Sequence, residues 1–355
     1  MSNRSILLSV ALACAATATA PLSAQKPAAP PVAQDEVLAW PPPPAPARIK
    51  WVAEYRNAFD VGAKKKRSFL DRLAGKSEDV IWLQRPLSVA VDGKGVIFVG
   101  DFTAGVVAMD PAAKRIWAFS TLSGTALATP TGLAVDSKLV YAASANTNQV
   151  VVFDKEGHQL SALTKNDGIN RPVGLAVDED RDLLLVVNGG EHTVRLYNRS
   201  LKLLKTIGGR GSEEGQFNFP SYTCIVPGVG FAVVDTGNFR IQIFDFNGRF
   251  IRAFGKAGDM PGQVSRPKGI AVDPDGHLYV VDGAFCNFQI FDQEGRILLP
   301  VGTGGTRKGQ FQVPTGIAID GSGGIYVADQ INGRIQKFQY LREEKGAPAP
   351  PSTPQ

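Results

Sequence analysis

The sequence predicts an all-β fold, a six-bladed β-propeller whose last blade is closed by an N-terminal strand. Three observations predict it. Proline recurs at positions 86, 130, 172, 220, 267 and 314, in steps of 44, 42, 48, 47 and 47 residues, which is the spacing of a repeat array. Each interval holds short β-branched and aromatic runs broken by Gly and Asp about every 8 to 12 residues, too short for helices and wrong for βαβ units. The sixth interval lacks one run, and a spare run stands before the first.

In chain order, residues 1–24 read as an export signal. Arg4 supplies the positive charge and residues 6–18 an apolar stretch. Leu22-Ser23-Ala24 precedes Gln25 as a cleavage site. The stretch is shorter than the roughly 20 residues a bilayer span needs, so the expected location is periplasmic or extracellular. Leu12-Ala13-Cys14 is lipobox-like, and lipidation at Cys14 is the one route to a membrane. Cleavage removes Arg4 and no acid, taking the formal charge from +5 to +4. That mild excess has one dense run, Lys64-Lys65-Lys66-Arg67, which reads as a solvated flank; export also argues against a nucleic-acid partner. Cys224 and Cys286 survive maturation, too few for a disulfide framework, and their pairing stays open. Residues 25–47, rich in Pro and Ala, read as an extended spacer.

The propeller is expected over residues 48–340. Residues 48–53 form the spare strand, because Ile49, Trp51 and Ala53 alternate with Lys50 as a half-buried strand does. Residues 56–84 depart from the repeat. Ser68 is placed to cap a short helix that ends at Gly75, and the segment reads as a connector packed on a blade. The clearest repeats begin at Arg171, Arg266 and Val313, each with two runs around a Gly/Asp turn. Third strands follow at 241–244, 288–291 and 335–338, and fourth strands at 250–254 and 297–301. After Phe338 the chain turns charged, and residues 341–355 read as a disordered tail.

The segments DTGNFRIQIFD from Asp235 and DQINGRIQKF from Asp329 resemble NHL repeats, with Asn238, Arg240, Asn332 and Arg334 before an Ile-Gln-x-Phe strand; the linkers GGRGSEEGQFNFP and GTGGTRKGQFQVP match as well. The resemblance covers residues 85–338 and implies the propeller fold. Leader, basic insertion and propeller together look like bacterial extracytoplasmic NHL proteins. Some of these accompany multihaem cytochromes, which implies a protein partner in the cell envelope. No CxxCH is present, so no c-type haem is attached, and no cofactor is expected.

Candidate chemistry is sparse. Asp101, Asp235, Asp282 and Asp329 end second strands, with Ser144 and Asn188 in the other blades; they read as turn-forming residues rather than a metal ring. His192 occupies the loop where some NHL-fold amidating lyases carry a zinc ligand, but Ala104, Asn148, Phe239, Cys286 and Gly333 fill the equivalent places. It therefore reads as a surface residue. No nucleophile elbow or phosphate loop is found, and no catalytic or metal residue is assigned. What remains is the face built by fourth-to-first linkers and second-to-third turns, which collects Arg85, Arg171, Arg210, Tyr222, Arg240, Arg266, Lys268, Phe285, Arg307 and Arg334. Arginine mixed with aromatics suits protein or acidic-ligand binding, although some of these arginines could serve only to bridge blades. Two functions stay open: a non-catalytic scaffold docking a protein partner in an envelope electron-transfer assembly, and a metal-dependent lyase or hydrolase at the central channel.

Overall fold

Runs of Val, Ile, Leu, Tyr and Phe that are apolar on both faces make strands covered on both sides. Five second strands, Ile97–Asp101, Leu183–Asn188, Gly230–Asp235, Leu278–Asp282 and Gly324–Asp329, are buried at every residue. A computed structural model describes residues 38–62, 81–124 and 126–342. The expected export signal with Cys14, the basic run at 64–67, the helix expected at 68–75 and residues 343–355 lie outside the described residues.

Five blades are four-stranded antiparallel meanders that begin at Pro86, Pro130, Pro172, Pro220 and Pro267. In every blade the opening proline is in register with the last residue of the second strand, as in Pro267↔Asp282 and Pro314↔Asp329. Proline has no N–H to leave unpaired on the innermost edge. Six apolar clusters fill the six seams between neighbouring blades. Between blades one and two, Phe119 meets Phe98 and Phe153 edge-on, with centroids 6.1 and 5.3 Å apart. A lone blade would leave both of its apolar faces wet, so the stack is stable only as a closed ring.

The inner strands pack closely enough to dictate glycine. A Cβ on Gly132 would stand 2.0 Å from the Val173 carbonyl oxygen, and one on Gly269 would stand 2.4 Å from that of Thr315. Hydroxyls cross the same seams: Ser88 donates to Pro130 O, Thr131 to Pro172 O and Thr315 to Pro86 O.

Blade six is Pro314–Ile319, Gly324–Asp329 and Arg334–Tyr340, completed by Ile49–Tyr55. The pairing is antiparallel, Ile49↔Tyr340, Trp51↔Phe338 and Tyr55↔Ile335, with a bulge between Trp51 and Ala53. The closing strand starts one residue later and runs two residues further than expected, because Tyr55 also reaches the core. Nor is it outermost. Ala39–Trp40 adds a fifth strand beside it, and Trp40 packs on Phe338 with centroids 5.7 Å apart. The end of the supposed spacer is thus held to the blade, since a tryptophan brings more apolar area than the neighbouring prolines can keep in water. The insertion is anchored at both described ends, by Val61 on one side and Leu83 on the other, in the seam of blades six and one.

Removing residues up to 55 is expected to abolish cooperative melting or soluble expression, while removing residues up to 37 leaves the melting temperature unchanged. Ile49→Ala, at a fully buried position, should cost roughly 2–5 kcal/mol in denaturant unfolding.

Candidate binding face

The linkers and second-to-third turns share one face because the strands alternate in direction. They are stapled together from below. Asp101 accepts the backbone N–H groups of Gln84, Arg85, Thr103 and Ala104. Asp282 does the same for Ser265, Arg266, Ala284 and Phe285. These buried carboxylates satisfy backbone donors of a linker and a turn at once. Among the described residues no group of three or more His, Cys, Asp or Glu could hold a metal ion.

Blades four and six elaborate the staple. Asp329 accepts from Asn332, Arg334 and Gln336. The Arg334 guanidinium goes on to the carbonyls of Arg307 and Gln310, and Gln336 takes the Gly309 N–H while donating to Gln310 O. Asp235, Asn238, Arg240 and Gln242 repeat the pattern. Burial pushes the Asp329 carboxyl above its ordinary value despite these donors. Arg334, 1% exposed, and Arg240 are therefore structural cations rather than members of an open face. Their forks are spent inside the blade.

Tyr222 also leaves the face. It stands where blades two, three, five and six carry Gly132, Gly174, Gly269 and Gly316, and its ring crosses the central channel. The hydroxyl lies 2.8 Å from Leu87 O and 2.9 Å from Thr131 O, in blades one and two, and burial pushes its pKa up. The channel is bridged at this level. Lys268 is half-buried at its rim, and Phe285 is half-buried in its turn. Arg85, Arg171, Arg210, Arg266 and Arg307 are exposed, with Arg85 over the Phe102 ring at 5.1 Å.

Between these arginines the face exposes apolar side chains that the sequence reading passed over: Phe102, Leu122, Phe219, Phe239, Met260 and Ile331. Phe219 is 59% exposed and Phe239 38%, at φ +48° and +56°. Bulky residues seldom adopt left-handed backbone. Only the sign of φ, invisible in sequence, marks the two phenylalanines. The position before the third strand is left-handed in blades two to six, at Asn148, His192, Phe239, Cys286 and Gly333, whereas in blade one the strand itself opens on left-handed Gly105. His192 is 8% exposed rather than a surface residue. Its Nδ1 accepts the Phe219 N–H at 3.0 Å, and its ring packs on that of Phe219. It supports the phenylalanine that the solvent sees.

A cavity of about 900 Å³ lies on the opposite side, where the closing strand meets blades five and six; Pro41, Ile49, His277, Leu299 and Tyr340 line it. His277 Nδ1 meets Asp273 at 2.8 Å. The same pairing ties His158 to Asp154 in another turn, and no Ser, Thr or Cys lines the cavity, so the pair is a turn device without a nucleophile. Cys224 and Cys286 are both free. Burial pushes the Cys224 thiol up to about 12.

The Asn, Arg and Gln side chains that staple blade six lie within a sequence match. The family model described as "NHL repeat" matches residues 265–291 and 311–338. The chain carries NHL repeats. The Ile-Gln-x-Phe strand of such a repeat is explained by its geometry: the glutamine holds the linker, while Ile and Phe fill the seams. No curated protein matches the sequence. Solved propellers are similar in fold. A streptogramin B lyase structure has a TM-score of 0.55 at 14% identity, covering 73% of this chain and 94% of that one. Hydrazine synthase of Kuenenia stuttgartiensis has a TM-score of 0.53 at 11% identity, covering 78% of this chain and 98% of that one. A catalytically inactive variant of virginiamycin B lyase from Staphylococcus aureus, solved with quinupristin, has a TM-score of 0.54 at 15% identity and covers 73% and 96%. At these identities the likeness is one of fold.

Tyr222→Phe should lower stability by about 1–2 kcal/mol with an unchanged denaturant slope, since two channel carbonyls lose the one hydroxyl proton they share. Arg334→Met should cost more, about 3–5 kcal/mol, because it leaves the Asp329 carboxylate buried with one cation fewer.

Proposed function

We propose that this NHL-repeat propeller is an exported, non-catalytic scaffold that docks a protein partner through its linker-and-turn face. One observation carries the reading: Phe219 and Phe239 are held out to solvent on the face that also exposes Arg85, Arg171 and Arg266. Large apolar side chains ringed by arginine supply contact area at low entropic cost and fork carboxylates on a partner. The bridged channel and the absence, among the described residues, of a metal-ligating cluster favour binding over chemistry in the channel. A multihaem cytochrome of the envelope is the partner we propose, on the resemblance to extracytoplasmic NHL proteins.

Photo-crosslinking tests this reading in cells. A benzoylphenylalanine at position 219 should give one discrete adduct that stains for haem, and the same probe at Leu160, exposed on an outer strand, should give none. Adduct yield should fall about tenfold when Arg85, Arg171 and Arg266 are all changed to Ala. Equal labelling at 219 and 160 would sink the docking face. A discrete adduct without haem would sink the cytochrome alone.

A further inference from the structure

Two cations stand together at the channel rim without an anion. Lys268 and Arg266 flank Pro267, which opens the inner strand of blade five. The Arg266 Nη2 donates to Gly283 O at 3.2 Å. Gly283 sits between that guanidinium and blade six: a Cβ there would be 3.4 Å from Arg266 Nε and 3.3 Å from Pro314 O. The pair therefore lies toward the seam of blades five and six.

Among the described residues the Lys268 ammonium has no hydrogen-bond or ion-pair partner. Burial, and then the charge of Arg266, hold it below the usual lysine range. Asp282, which stands opposite Pro267 on the neighbouring strand, is committed to four backbone N–H groups. In blades four and six the matching Asp has an arginine as well, but in blade five Asn287 takes that place. A half-buried cation with no counter-charge costs free energy, and a ligand that brings the negative charge removes that cost.

The rest of the rim narrows the choice of anion. At the position of Lys268 the other blades carry Leu87, Thr131, Val173, Ser221 and Thr315. The hydroxyls of Thr131, Ser221 and Thr315 already donate to carbonyls of the next blade. The unspent donors are the ammonium and the remaining guanidinium N–H groups, which can fork the two oxygens of a carboxylate, while the apolar side chains on the rim disfavour a strongly hydrated phosphate dianion. Leu87 and Val173 are half-buried on the same rim, and Phe219 is exposed on the same face. We propose that the rim at the seam of blades five and six is a receptor for a carboxylate carried on an apolar body, held by Lys268 and Arg266. The site goes beyond the docking reading, since the carboxylate can belong to a free small acid or to a docked partner.

Calorimetry on the mature chain, with phenylacetate as probe, tests the site. Saturable binding is expected for phenylacetate and none for phenylacetamide or inorganic phosphate. Lys268→Met should weaken phenylacetate binding about tenfold or more without lowering the melting temperature, because it removes an uncompensated charge. Arg266→Gln should weaken it several-fold. Undiminished binding to the Lys268→Met protein, or equal binding of the amide, would overturn the proposal, and saturable phosphate binding that needs both cations would overturn the choice of carboxylate. Adduct yield at position 219 then separates the sources. A yield lowered by Lys268→Met assigns the carboxylate to the partner, and an unchanged yield assigns it to a free acid. Loss of phenylacetate binding with the haem adduct intact removes this site and leaves the docking face standing; binding without any adduct does the reverse.

Discussion

The Arg334 guanidinium joins three parts of the molecule that are far apart in the chain. It reaches Glu54 on the N-terminal closing strand at 2.7 Å, Asp329 at the end of a second strand at 2.9 Å, and two carbonyls of the last linker. Beside it the Trp51 indole N–H donates to the Gln336 carbonyl oxygen, and Lys308 lies over the Trp51 ring. These contacts fix the register of the strand that shuts the ring. Every seam depends on that closure, because each blade is apolar on both faces and can bury them only between two neighbours. An open ring would wet two faces and expose a strand edge able to pair with other chains.

Closure also sets what the binding face can be. With the inner strands pressed together, their glycines admit no side chain, and the one large group at that level among the described residues, Tyr222, turns into the channel and spans it. The ring is wide enough for one tyrosine to cross. What a partner meets is therefore the rim and the loops. Those loops are stiffened by buried carboxylates, each serving linker and turn together. A face built on such staples presents Phe219 and Arg266 without a large ordering cost on binding.

The same repeat device gives different outcomes in different blades. Asp235 and Asp329 each hold an arginine, whereas Asp282 is surrounded only by backbone N–H groups and Asn287 stands where the arginine would be. The Asn287 Oδ1 is buried without a partner. Blade five thus departs from the repeat on its stapled side and carries its unpartnered lysine on the rim side, both near the seam with the closing blade. Repeats that must pack alike can still differ wherever a side chain leaves the seam.

Sequence alone determined the fold, because the propeller is written in local chemistry that recurs. Prolines keep the period, alternating apolar runs make the strands, Gly and Asp make the turns, and a run missing at one end matches a spare run at the other. Closure by a strand at residues 48–53, found at 49–55, was legible for that reason, and so was the turn-forming role of the strand-end aspartates. The fate of the arginines was not. Arg85 and Arg334 look alike in sequence, yet one lies exposed over Phe102 while the other is buried between Glu54 and Asp329. Which occurs depends on whether an acid from another part of the chain stands within reach. The spacer hid Trp40, whose role comes from Phe338 about three hundred residues away, and His192 looked exposed until Phe219 packed against it. Burial and pairing of a polar side chain are properties of its distant neighbours, and only the tertiary structure supplies those neighbours.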